Sequence, residues 1–229
     1  MSDTMLLTEE NGILRLTMNA PSNNLMTADF FRDYEAAMAE VEERAKSGNI
    51  KGFIICGGGR HFSTGADVEA LADRSADENC DGSGELPAGH IRQKHFFTFL
   101  RELPFPTVSV VTGFCIGSGS EIAVNCHYRI IEKNARVGQP ESTFGILPAL
   151  GGAARTIEIC GMQNAYELVM SGELIPAERA FEIGWADIFA EKKQGIASAE
   201  KLVEYIAARG DFAPEKAKAI MQDYKETEL

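Results

Sequence analysis

Two glycine-punctuated segments constrain this 229-residue chain more than any other feature, because each leaves an apolar run and enters a stretch of helical spacing. The first reads Gly58-Gly59-Arg60-His61-Phe62-Ser63-Thr64-Gly65-Ala66-Asp67, and the second Gly113-Phe114-Cys115-Ile116-Gly117-Ser118-Gly119-Ser120-Glu121. At a strand-to-helix turn, successive backbone N–H groups lack an acceptor of their own and become donors for a negative oxygen. Glycine lets the chain make such a turn and lets a ligand come close to the main chain. Two of these turns facing each other can hold one developing oxyanion from two sides. Two acids stand nearby: Glu121 at the end of the second segment, and Glu141 after Gly138-Gln139-Pro140. Donors beside a pair of carboxylates suit proton chemistry next to a carbonyl.

The rest of the chain reads as alternating strands and helices. Residues 6–18 alternate around Glu10-Asn11-Gly12, an Asn-Gly hairpin signal. Thr27 caps a helical pattern through Phe30, Phe31, Tyr34, Met38 and Val41. Gly52-Phe53-Ile54-Ile55-Cys56 is a continuous apolar run, as in a strand buried on both faces. Residues 72–89 are polar and read as a mobile surface loop, after which helical spacing resumes at Ile91, Phe96, Phe97 and Leu100. Residues 106–111, 128–132 and 135–138 read as strands, and the pattern past Gly151 is helical except at 186–190, ending in helices over 197–208 and 214–224. Repeated strand-then-helix units imply an α/β fold with a parallel sheet and helical crossovers.

Composition excludes several classes. Hydrophobic residues make up 45% and charged residues 24%, as in an ordinary globular protein. No apolar run approaches the roughly 20 residues of a membrane span, and the acidic start Met1-Ser2-Asp3-Thr4-Met5 resembles no targeting peptide. A net charge of −12 argues against a nucleic-acid partner. Five cysteines without CxxC pairing fit reduced thiols in a cytoplasm, with Cys56 and Cys160 expected to be buried. No metal-ligand spacing is present. Gly113-Phe114-Cys115-Ile116-Gly117 matches a nucleophile elbow, but its downstream histidine could only be His127. Gly117-Ser118-Gly119 begins a dinucleotide fingerprint and then finds Ile122 in place of the third glycine. His61 reads as a structural or solvent-facing side chain.

Taken in order, Phe62-Ser63-Thr64-Gly65-Ala66-Asp67-Val68, Gly117-Ser118-Gly119-Ser120-Glu121-Ile122-Ala123, Gly138-Gln139-Pro140-Glu141, Gly145-Ile146-Leu147-Pro148 with Gly151-Gly152, and Ala177-Glu178-Arg179-Ala180 with Gly184-Trp185-Ala186-Asp187 resemble the crotonase (enoyl-CoA hydratase/isomerase) superfamily. The likeness runs from about residue 5 to residue 224. It implies a crotonase-like spiral of ββα units with a helical C-terminal region: a spiral core over residues 1–190, and a short helical segment over 191–229 for trimerisation or for covering the site. It also implies an oxyanion hole from the backbone N–H groups of Thr64 and Ser118. Glu121 and Glu141 would be the catalytic pair, and Ser63, Gly65, Ala66, Asp67, Val68 and Gly117 would contact the acyl-CoA.

The activity so implied is hydration of a 2-enoyl-CoA in the cytoplasm. No cofactor is expected beyond the coenzyme A thioester that is the substrate, and no metal, nucleic acid or membrane. Assembly as a homotrimer or a dimer of trimers follows from the resemblance, with residues 166–170 and the C-terminal helices offered as interface. Isomerisation, hydrolysis or decarboxylation of an acyl-CoA on the same scaffold, or acyl-CoA binding without turnover, remain open. Two departures from the family pattern stand out. Ala149 occupies a place where many hydratases carry glycine, and the chain ends at Leu229, about two dozen residues earlier than typical relatives.

Overall fold

The structure is a computed structural model that describes residues 3–67, 88–210 and 212–228, with the side chains of 88–90 excepted. Strands β1 (Met5–Glu10) and β2 (Ile13–Met18) form an antiparallel hairpin pairing Met5 with Met18 and Glu10 with Ile13. Its turn needs two left-handed residues, supplied by Asn11 (φ 55°) and Gly12 (φ 81°). Helix α1 (Ala28–Ala45) starts where the Thr27 side chain accepts from the Phe30 N–H at 3.3 Å. It buries Phe30, Tyr34, Ala37, Met38 and Val41, one stripe of a 3.6-residue repeat.

The chain then divides its strands between two sheets. The larger receives β3 (Gly52–Gly57), β4 (Thr107–Val111), β6 (Tyr128–Glu132) and β9 (Ile188–Ala190), in the order β1-β2-β3-β4-β6-β9, parallel from β2 onward. The smaller is built of β5 (Phe114–Ile116), β7 (Arg136–Gly138) and β8 (Ile175–Pro176). Helix α2 (Ala88–Thr98) leads toward β4. After β4 and β5 comes α3 (Ser118–Asn125), and after β6 and β7 comes α4 (Gly152–Ser171), which is broken at Gly161. Two strands in different sheets followed by a helix, repeated, is the expected spiral of ββα units. Helices α5 (Ala177–Glu182), α6 (Gly195–Arg209) and α7 (Ala217–Glu228) complete the chain.

The period of two along β3 shows how the large sheet separates two cores. Phe53 and Ile55 join the cluster shared with α1, α2, α3 and the small sheet. Ile54 and Cys56 face the other way, into a cluster closed by Leu202, Val203 and Ile206 of α6 and by Met221 and Tyr224 of α7. The C-terminal helices therefore cover the sheet face opposite α3. The buried Arg129 guanidinium pairs with Asp187 and donates to the Trp185 carbonyl at 2.7 Å, so it fixes β6 against the approach to β9. Cys56 and Cys160 are buried as expected.

Sequence expectations change in places. Residues 114–116, read as part of a loop, form strand β5, because Phe114, Cys115 and Ile116 pair with Arg136, Val137 and Gly138. The polar stretch 72–89 lies almost wholly outside the described residues, and its last two open α2. Among the described residues, no helix is long and apolar enough to cross a membrane.

Candidate active site

The two glycine-rich segments lie against each other. Ser63 donates its N–H to the Phe114 carbonyl at 3.0 Å, and Ile116 returns a bond to the Ser63 carbonyl at 3.1 Å. A Cβ on Gly119 would sit 2.7 Å from Ser63 Cβ, and one on Gly65 (φ 86°) would sit 2.9 Å from the Ile116 carbonyl oxygen. Glycine at these two positions is what lets the segments close. Thr64 lies between Ser63 and Gly65, and Ser118 between Gly117 and Gly119, so the expected donor residues come from adjoining turns. Ser118 is the first residue of α3, where an N–H has no intrahelical acceptor; the ladder begins with the Glu121 N–H bonding the Gly117 carbonyl at 3.0 Å.

Thr64 is differently placed. Its N–H, expected to be open to an oxyanion, donates instead to the Asn23 carbonyl at 3.3 Å. That carbonyl belongs to a turn in which Ser22, Asn23 and Asn24 all have left-handed φ of 55°, 63° and 61°. Such residues cost roughly 1 kcal/mol or more each and persist only where their surroundings hold them. Here the Asn24 side chain does so, being 3% exposed. Its oxygen accepts from the Ala20 N–H at 2.8 Å, and its amide donates to the carbonyls of His61 at 3.3 Å and Phe62 at 3.0 Å.

Glu121 is 2% exposed, on the inward side of α3. Its Oε1 accepts from the N–H groups of Leu150 at 2.7 Å and Gly152 at 2.9 Å, at the start of α4. Burial raises its pKa to about 7; the Glu141 charge adds to the rise, and the two N–H bonds and Lys94 oppose it. Glu141 sits on the 3₁₀ turn Pro140–Phe144, where burial likewise raises its pKa. Its Oε2 is buried with no hydrogen-bond partner among the described residues. A Cβ on Gly117 would meet Glu141 Oε1 at 3.1 Å, which places this carboxylate at the N-terminus of α3 beside Ser118. Both acids therefore hold a proton more readily than a solvated carboxyl would, and both stand at the start of α3.

The remaining expected residues divide. Gly117 (φ 53°) is the N-cap of α3. Ser63 is fully buried, its hydroxyl donating to the Asn24 carbonyl at 2.8 Å and accepting from the Gly65 N–H at 3.1 Å, so its side chain braces the turn. Ala66 bridges to Met26, and the Asp67 N–H bonds the Met26 carbonyl at 3.4 Å. Val68 lies outside the described residues. His61 is structural: Nδ1 accepts from the Phe114 N–H at 2.9 Å, and the ring stacks on Phe114 with centroids 4.7 Å apart. Cys115 is fully buried in β5 with its thiol pKa pushed up, which removes the nucleophile-elbow alternative.

Two residues escaped sequence reasoning. Asn24 had a faint signal, since asparagine tolerates left-handed backbone better than most residues. Gln139 is fully buried beside Glu121: a Cβ on Gly152 would sit 2.5 Å from Gln139 Nε2 and 2.8 Å from Glu121 Oε1. Nothing in the sequence order announces that proximity.

Residues 8–229 match the family model described as enoyl-CoA hydratase/isomerase. The chain belongs to that family. A crotonyl-CoA hydratase of Syntrophomonas wolfei is 28% identical over 99% of this chain and 84% of its own length. A fatty acid oxidation complex subunit alpha of Psychrobacter is 29% identical over 78% of this chain, and the chain spans only 24% of that protein. A Thermobifida fusca protein solved in complex with acetoacetyl-CoA superposes with a TM-score of 0.76 at 21% identity, over 98% of this chain and 88% of that one, and shares the enoyl-CoA hydratase/isomerase fold.

Proposed function

We propose that this enoyl-CoA hydratase/isomerase family member is a 2-enoyl-CoA hydratase. The observation that carries the reading is the pair of carboxylates at the start of α3: Glu121, buried with its pKa raised to about 7, and the half-buried Glu141, whose Oε2 is enclosed with no hydrogen-bond partner among the described residues. In the reaction, the ionised Glu121 takes a proton as water oxygen bonds the β-carbon. The electrons of the double bond move to the thioester oxygen, which becomes an enolate. The Ser118 N–H at the start of α3 stabilises that oxygen, with a second donor from the first glycine segment, and Glu141 then delivers a proton to the α-carbon. Atoms balance: one water is added, and the proton gained by Glu121 offsets the one lost by Glu141. No cofactor other than the CoA thioester enters.

The short-chain acyl-CoA named for the Syntrophomonas relative supports crotonyl-CoA as the first substrate to try. Ala66, Asp67 and Val68 would line the adenine side. The exposed apolar residues Phe144, Ile146, Leu147, Met162, Tyr166 and Met170 support assembly as a homotrimer, alone or paired. The deciding experiment follows loss of the conjugated thioester absorbance with crotonyl-CoA and identifies the product by mass spectrometry. A 3-hydroxyacyl-CoA supports the hydratase. An isomerised enoyl-CoA, or free CoA, refutes it.

A further inference from the structure

Gln139 is fully buried, and the chemistry just described gives it nothing to do. It sits between the end of β7 and the 3₁₀ turn that carries Glu141. The two ends of its amide differ. Oε1 accepts from the Thr156 hydroxyl of α4 at 3.3 Å, and that buried hydroxyl also reaches the Gly152 carbonyl at 2.7 Å. Nε2 is enclosed and has no partner among the described residues. A donor left unmatched in the interior costs free energy, so each one in a native structure calls for an explanation. The group beside it is Glu121. A Cβ on Gly152 would sit 2.5 Å from Nε2, 2.6 Å from Glu121 Cγ and 2.8 Å from Glu121 Oε1. Amide and carboxyl therefore converge on the space that the missing side chain of Gly152 leaves to them.

We propose that Gln139 is a positioning residue for Glu121, with its Nε2 donor kept for the ionised carboxylate. The inference rests on Glu121 as the base of the proposed hydratase. A carboxylate offers about four acceptor sites, and the N–H groups of Leu150 and Gly152 take only part of them. Torsion about a terminal amide is broad, so a small turn brings Nε2 onto the carboxylate. A donor on the ionised form favours that form and opposes the burial that favours the protonated one. Among the charged groups that face Glu121, Glu141 on the 3₁₀ turn favours its protonated form and Lys94 of α2 its ionised form. Gln139 adds to the second effect from inside the fold, and it holds the carboxylate in one orientation for the water it activates.

The test has a wild-type arm and a variant arm. Wild-type protein labelled with ¹⁵N, and with ¹³C at the glutamate carboxyls, is titrated from mild acid to mild alkali. The Gln139 side-chain amide signals should move with the same midpoint as the Glu121 carboxyl. Amide signals that stay fixed while Glu121 titrates overturn the proposal without recourse to any variant. In the variant arm, Gln139→Met keeps the length of the side chain and loses the donor. The Glu121 midpoint, and with it the acid limb of kcat against pH, should rise by about one unit or more, the worth of one hydrogen bond to a charged group. KM for crotonyl-CoA should change far less than kcat, and much of the lost kcat should return in alkali, where Glu121 ionises unaided. Thr156→Val removes the hydroxyl at the other end of the amide and should move the midpoint the same way by less, which keeps the question open to test should Gln139→Met fail to fold. Folded variants in which Glu121 titrates as in wild type, or in which kcat falls equally at every pH, refute the positioning role. If wild-type protein converts no 2-enoyl-CoA, the hydratase reading has failed, while the shared or separate midpoints still decide whether Gln139 serves Glu121.

Discussion

Replacing Glu121 by glutamine should remove activity and stabilise the protein, and pH should separate the two effects. Glu121 is 2% exposed, with a pKa raised from 4.5 to about 7, chiefly by burial. A carboxyl whose folded pKa lies above its unfolded value contributes stability that is complete below pH 4.5 and is lost as pH rises through 7. The rise corresponds to about 3 kcal/mol at 1.36 kcal/mol per unit. Two N–H bonds from Leu150 and Gly152 are already included in that balance. Glutamine keeps an oxygen for both donors and carries no charge. Relative to wild type, Glu121→Gln should gain nothing near pH 4.5 and up to about 3 kcal/mol above pH 7, or roughly 6–12 °C in Tm for a domain of this size. Desolvating the amide makes this an upper figure. Turnover should fall by about 10² to 10⁴, the worth of one positioned proton-transfer group, and the wild-type rate should decline as pH drops through about 7, where the base becomes protonated. Calorimetric scans from acid to mild alkali give the first quantity, and crotonyl-CoA kinetics the second. A Tm difference that is flat across this range, or a variant less stable than wild type in alkali, would show that the N–H pair fully compensates the buried charge.

Glu141→Gln should lose activity comparably, and the Glu121→Gln/Glu141→Gln double variant should be little worse than either single one, since groups acting as a unit do not add; multiplied losses in kcat would separate their roles. At Ser118, the first residue of α3, proline is tolerated by the helix but has no N–H. Ser118→Pro should therefore cost at least about a hundredfold in kcat with the fold intact, while Ser118→Ala costs little; equal damage from both would make the hydroxyl the working group. His127 is buried with its pKa lowered to about 4, mainly by burial, while Nδ1 accepts from the Thr107 N–H at 3.1 Å and Nε2 contacts the Arg101 carbonyl at 3.0 Å. Its contribution is present above pH 6.5 and lost as pH falls toward 4, about 3 kcal/mol in all; urea midpoints of His127→Gln that track wild type through that window would contradict this.

What could be read from the sequence, and what could not, divides by the range of the physics involved. The Asn11-Gly12 turn, the Thr27 cap and the apolar run of β3 are set by residues within a few positions of one another, and all three stand where periodicity and turn chemistry place them. The glycines were legible as punctuation, but the reasons for Gly65 and Gly119 lie about fifty residues away, in Ile116 and Ser63. Strands of three and two residues, β5 and β8, are too short to show a period and exist because β7 runs between them. The same holds within the site. Glu121 reads locally as an ordinary first-turn acid, favoured by the helix dipole. Only the arrival of Leu150 and Gly152 beside it, and the burial that follows, turns it into a group that titrates near neutrality. The clearest case is Thr64. Its position in the glycine segment marks it as a donor, while the Asn23 carbonyl that holds its amide comes from a turn whose left-handed backbone no local pattern requires. A residue type can be chosen by its neighbours in sequence, but its readiness to act is decided by groups that only folding brings near.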